Sequence, residues 1–260
     1  MLLTSAQAAS IERAMNRMYN FDFNGADNEL TAYISEHKDD PLGHSFRAAS
    51  FLFRELDQMS ILEGQFFSDD EKILDKRKQT ADPQLKSRFL ASLGTSQEMA
   101  RSKLAANAND KNALFALCLD SGLNSDYTAL VEKRQLGSLS SAKESQSYAV
   151  RLLQLDPTFA DAYLTTGISE YLLGSIPFFV RWFVKFDQVE GDKKLAGQRL
   201  RVVVENGRYL GPFAKILLAI IDLREKRPQD ARNKLTELSR DFPENPLYKK
   251  ELDRLRPGRK

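Results

Sequence analysis

An all-α protein, made of antiparallel helical hairpins stacked one on the next, is what this chain predicts. Three observations carry that prediction. In 260 residues there are only 13 glycines and 9 prolines, too few turn residues for a sandwich or barrel. Apolar residues recur at helical spacing, and strand-like alternation is absent. Several prolines sit at helix entrances behind a capping residue, as in Asp40-Pro41 and Asp82-Pro83. Proline suits the first helical position because its missing N–H would be unpaired there.

Taken in order, the helix signals mark 5–20, 23–38 and 41–62, the third opened by Asp40 as cap and Pro41. His37 falls near the C-terminus of the second, where the dipole favours a charged imidazole. His44 falls in the first turn of the third. A span at 69–80 sits within Gly64 to Ala81, the least patterned stretch. Asp82-Pro83 opens 83–107, and 110–123, 125–135 and 138–154 follow. Cys118 lies in the apolar run Ala-Leu-Phe-Ala-Leu-Cys-Leu and reads as a buried structural thiol. As the only cysteine it makes no intrachain disulfide.

Asp156-Pro157 opens 157–173, and 176–187 comes next. Gly191-Asp192 ends that helix and caps 192–208, with Asp192 accepting from the N–H of Lys194 or Leu195. Gly211-Pro212 and Arg227-Pro228 open 212–226 and 228–241. Here Leu218, Ile221 and Asp222 form a face for Ala231, Leu235, Leu238 and Phe242 to cover. A last helix at 245–255 turns Leu247, Tyr248, Leu252 and Leu255 onto that hairpin and Lys249, Lys250 and Arg254 to water. Short connections make neighbours antiparallel, and no linker divides residues 1–260.

The charges nearly cancel, 38 Lys+Arg against 36 Asp+Glu, so composition asks for no nucleic-acid partner. The basic tail Arg254, Arg256, Arg259 and Lys260 reads as a solvated terminus. Two histidines and one cysteine make no metal set. Asp187, Glu190 and Asp192 lack the ligand spacing of a calcium loop. Phosphate-loop, dinucleotide and nucleophile-elbow motifs are absent. A non-catalytic protein without cofactor is expected. No transmembrane helix is expected, since no apolar run of about 18 residues exists. Met1 to Ala8 ends in Ala-x-Ala but lacks a charged n-region and an apolar h-region. A cytoplasmic location is expected, with export the alternative if a signal has been removed.

Tyr163, Gly167 and Gly174 have the spacing of the first helix of a tetratricopeptide repeat, after Pro157 as the closing proline of the unit before. Ala231 and Pro243 have the spacing of its second helix. Small residues lie where two helices cross closely, and the aromatic fills the gap between hairpins. The chain resembles tetratricopeptide-repeat proteins, clearly over 151–246 and degenerately over 1–150, where the gap from Ala26 to Pro41 is longer than that from Ala231 to Pro243. Gly167, Tyr171, Ile176-Pro177, Lys185, Gly191-Asp192 and Leu200 also resemble an uncharacterised bacterial family of divergent repeats. More distantly they are similar to a eukaryotic group with members at the mitochondrial outer membrane. The resemblance implies a right-handed α-solenoid, with the helix at 246–256 as its cap, and no catalytic residue. It implies a protein–protein interaction scaffold whose groove takes a peptide or protein partner. First helices line the concave face of such repeats, which nominates Leu164, Ile168, Tyr171, Leu172, Ile216 and Ile220, with Phe178 and Trp182 as a wall.

Residues 175–186 hold the only tryptophan and four phenylalanines. A helix so apolar all round is buried or docked. Three readings stand: core packing, a groove for an apolar helix, or a peripheral membrane contact with Arg181 and Lys185 reaching phosphates. The last makes a membrane or envelope adaptor the alternative function. Lys193, Lys194, Arg199, Arg201 and Arg208 form a stripe that reads as a solvated face or as a holder of acidic groups.

Overall fold

Side-chain caps start the helices largely where the sequence places them. In the computed structural model, residues 5–63 (side chains from Ser10), 81–175 and 191–256 are described. Asp22, Asp40, Asp82, Asp110, Asp192 and Asn245 each accept from a backbone N–H of the turn that follows. Asp192 takes the N–H groups of Lys194 at 2.7 Å and Leu195 at 3.1 Å. Each such bond satisfies a donor that the helix cannot pair internally.

The helices are α1 (Ser5–Tyr19), α2 (Phe23–Glu36), α3 (Pro41–Gln58), α4 (Pro83–Ala106), α5 (Lys111–Asp126), α6 (Gln135–Leu155), α7 (Tyr163–Ser175), α8 (Lys193–Asn206), α9 (Gly211–Arg224), α10 (Pro228–Asp241) and α11 (Pro246–Arg254). No strand occurs among the described residues. The most extensive contacts join α1 to α2, α3 to α4, α5 to α6, α7 to α8 and α9 to α10, so the helices pack as five successive pairs, with α11 against α10. Adjacent pairs meet through α2 and α3, α4 and α5, α6 and α7, and α8 and α9; the first helices α3 and α5 also touch.

Two expectations need correction. Residues 110–123 and 125–135 are not separate helices: α5 runs into a π-helical turn, Tyr127–Val131, and the chain breaks at Lys133 with φ 56°. Gly122 does not end the helix: α5 continues through it to Asp126. Pro157 does not open a helix. Asp156 accepts from the backbone N–H and hydroxyl of Thr158, a local turn that competes with helix, and α7 starts only after a 3₁₀ turn at Ala160–Ala162. The expected helices at 69–80 and 176–187, with Phe178 and Trp182, lie outside the described residues.

Small residues permit close crossings as the spacing implied. A Cβ on Gly167 would stand 3.1 Å from the Leu200 side chain, where α7 meets α8. The main core draws buried residues from Ile11 on α1 to Tyr248 on α11. A smaller cluster joins Phe51, Leu52 and Leu56 of α3 to Phe89 of α4 and Tyr127 and Val131 of the π turn.

The main core continues because the last helices return to the first. Asn245 donates to the carbonyl of Tyr19 at 2.9 Å, and the Tyr19 hydroxyl donates to the carbonyl of Tyr209 at 3.1 Å. The rings of Tyr19 and Phe242 lie 5.3 Å apart, and those of Phe53 and Phe213 5.4 Å. Lys250 and Arg254 pair with Glu63, and Arg208 with Glu12. Thus α11 covers α10 with Tyr248, Leu252 and Leu255 as expected, but Leu247 lines a surface cleft with Asp57 and Glu63 instead, and the basic side of α11 also reaches the chain after α3.

Candidate partner-binding face and interior

The nominated residues of α7 share one helical stripe at 164, 168, 171 and 172, yet they do not share one environment. Leu164 and Tyr171 are buried, Ile168 is half-buried, and Leu172 is 56% exposed. On α9, Ile216 and Ile220 are half-buried. Helix α9 is apolar on most sides, and Phe213, Leu217, Ile221 and Leu223 are also only partly covered. Leu172 is therefore the candidate most open to a partner. Phe178 and Trp182 lie outside the described residues.

The middle of the molecule is filled. Tyr209, in the connection from α8 to α9, is buried with its ring 5.0 Å from that of Phe46, and Phe115 lies 4.9 Å from Phe159. One carboxylate fixes this connection. Asp161 accepts from the N–H groups of Arg208 at 3.0 Å, Tyr209 at 3.2 Å and Leu210 at 2.9 Å. Three successive donors on one anion form a closed nest. Gly207 leaves room for it, since a Cβ there would lie 2.4 Å from the Val203 carbonyl oxygen and 2.8 Å from Asp161.

The basic stripe is largely engaged within the chain. Lys193 pairs with Glu225 at 2.7 Å, Arg199 with Glu170 at 3.0 Å, and Arg208 with Glu12 at 2.8 Å. Lys193 also lies over the Tyr171 ring, 5.7 Å from its centre. Two surface clefts follow the closure seam. One is lined by Arg13, Arg17, Asp22, Glu29 and Glu244, the other by Asp57, Glu63, Leu247 and Lys250. In the first, Arg13 and Arg17 are both spent on Glu29.

Buried acids were not legible as such. Glu55, Asp120, Glu170 and Asp222 are each at most 6% exposed. Asp222 is paired with Arg227 and Lys234, and Glu170 with Arg199. Asp120 is different: neither of its oxygens makes a hydrogen bond of good geometry. Burial pushes its carboxyl up to about 7, only partly offset by the hydroxyls of Ser96 and Ser45, which bond each other at 2.8 Å. Cys118 is buried near Ser145 and Thr165, and burial raises its thiol above the ordinary value. His37 caps α2 and stacks on Tyr33, and burial with nearby Arg47 lowers the pKa of His44.

Among the described residues no three His, Cys, Asp or Glu side chains converge as metal ligands, and no helix is long and apolar enough to cross a membrane. Compared with protein-family models, curated proteins and solved structures, the chain matches none. The tetratricopeptide resemblance rests on this chain's own residues.

Proposed function

We propose that the protein is a non-catalytic interaction scaffold, a right-handed α-solenoid of tetratricopeptide type that offers an apolar face to a peptide or protein. The observation that carries this reading is Leu172, a large apolar side chain left 56% exposed on the first helix of a hairpin. The half-buried Ile168 beside it, and Ile216 and Ile220 on the next first helix, support it. Leu90, Leu136 and Leu155 are exposed on second helices, whereas Leu172 is the exposed large apolar residue on a first helix among the described residues, the side that lines the recognition face of such repeats. With Tyr209 and Phe115 filling the middle, the partner sits on this face rather than in an open central groove.

Crosslinked capture from native lysate, comparing wild type with Leu172→Asp, tests the reading. Tyr171 is left intact because it is buried and its loss would perturb packing. A partner held by wild type and lost by Leu172→Asp, with equal melting temperatures, is the expected result. Equal capture by both would remove α7 from the interface. The peripheral-membrane alternative, which uses residues 175–186, predicts flotation of wild type with anionic vesicles and its loss in Phe179→Asp.

A further inference from the structure

Three hairpins carry a buried acid near the end of the first helix, and each acid holds the residue that caps the second. Glu55 of α3 accepts from the N–H of Asp82, the cap of α4, at 2.9 Å. Glu170 of α7 accepts from the N–H of Asp192, the cap of α8, at 3.0 Å. Asp222 of α9 takes the Nε of Arg227, the residue before α10, at 3.0 Å. The burial order around them agrees. Residues 51–52 are buried, 53–54 half-buried and 55–56 buried; 166–171 repeat the order, and 218–222 follow it.

The joints differ in how much chain they hold. Between α9 and α10 only Glu225, Lys226 and Arg227 intervene, whereas α3 and α4 are separated by 59–82 and α7 and α8 by 176–192. At the latter joint the two ends of the connection meet. Gly191 is left-handed, with φ 75°, and a Cβ on it would lie 2.6 Å from the Gly174 nitrogen. A Cβ on Gly174 would lie 2.9 Å from the Gly191 carbonyl oxygen. Any larger residue would push this neck apart.

We propose that Glu55 and Glu170 are neck clamps, each pinning the start of a second helix to the end of the first, so that both hairpins close without residues 64–80 and 176–190. A helix start has four unpaired N–H groups and frays unless they are satisfied. A long connection restrains it less than a short one, because the entropic cost of closing a loop rises with its length. A buried carboxylate on the cap N–H supplies a charge-assisted bond where the helix dipole also favours negative charge. The α9–α10 joint reaches the same arrangement with a three-residue turn. This inference is independent of the scaffold reading.

The test combines excision with amide hydrogen exchange. Residues 176–190, and separately 64–80, are replaced by about four Gly/Ser residues, a common connection length. Each excised chain is expected to unfold cooperatively with the helicity of its remaining residues. In the full chain, Glu55→Leu and Glu170→Leu should speed exchange in the first turns of α4 and α8 by roughly tenfold or more. In the excised chains the same substitutions should have a much smaller effect, because a short linker holds the ends. Should a leucine variant fail to fold, Glu55→Gln or Glu170→Gln carries the same comparison. An excised chain that does not fold, exchange unchanged by the substitutions, or equal acceleration with and without the long connection would overturn the proposal.

Discussion

Asp120 is a fully buried carboxyl without a cation bonded to it, and stability should register its charge. Its pKa in the folded chain is about 7, against an ordinary 3.8. Between those values the folded state keeps a proton that the unfolded state has lost, so this group lowers stability as pH rises from about 4 to about 7 and no further beyond. Asp120→Asn should match wild type near pH 4 and exceed it at pH 8 by up to about 4 kcal/mol in urea unfolding. A stability difference independent of pH would show that the carboxyl is not the cause. Asp161 differs, since three backbone donors offset much of its burial, although burial still holds its carboxyl above the ordinary value. Asp161→Ala orphans three buried N–H groups and should lower stability by about 3 kcal/mol or more, seen as a lower urea midpoint at unchanged slope. Neither role is legible locally: the donors to Asp161 lie at 208–210, and the surroundings of Asp120 come from α3 and α4.

At the scale of the element, caps and small residues were the readable part. Asp40, Asp82 and Asp192 act within three residues of themselves, so sequence is enough to place them. Asp192→Ala should cost about 1 kcal/mol, a fall in melting temperature of roughly 2–4 °C for a chain of this size. Unchanged melting would show that the cap is not contributing. Gly167 was marked by its spacing from Tyr163 and Gly174, and its close neighbour, Leu200, lies on the next helix. The π turn at Tyr127–Val131 was not, because no residue type signals it; Tyr127 and Val131 are placed by the cluster they share with Phe89. Asp156-Pro157 carried the right residues for a helix start, but the Thr158 hydroxyl and N–H captured the Asp156 carboxylate in a turn.

Across the whole molecule, closure distinguishes this chain from an open row of hairpins. In an open array each unit couples only to its neighbours, and the ends unfold separately. Here Asn245 and Tyr209 both bond Tyr19 across most of the sequence. Amide exchange in α1–α2 and in α10–α11 is therefore expected to open in one transition with denaturant, and Asn245→Ala should lower protection at both ends together. Loss of protection confined to α10–α11 would mean that the ends are not coupled. The exposed pairs Arg208–Glu12 and Lys250–Glu63 add little individually and weaken with salt, so the buried bonds set the coupling.

The sequence by itself determined what depends on near neighbours: helix type, most boundaries, the capping aspartates and the burial of Cys118. Those follow from backbone sterics, unpaired helix-end groups and apolar periodicity, which act over a few residues. Tertiary structure alone decided that the last helices return to the first, that Tyr209 fills the middle, and that of the α7 candidates Leu172 stays open while Leu164 and Tyr171 do not. These depend on which distant surfaces meet, and a periodic apolar stripe reads the same whether its cover is another helix, an aromatic plug or water.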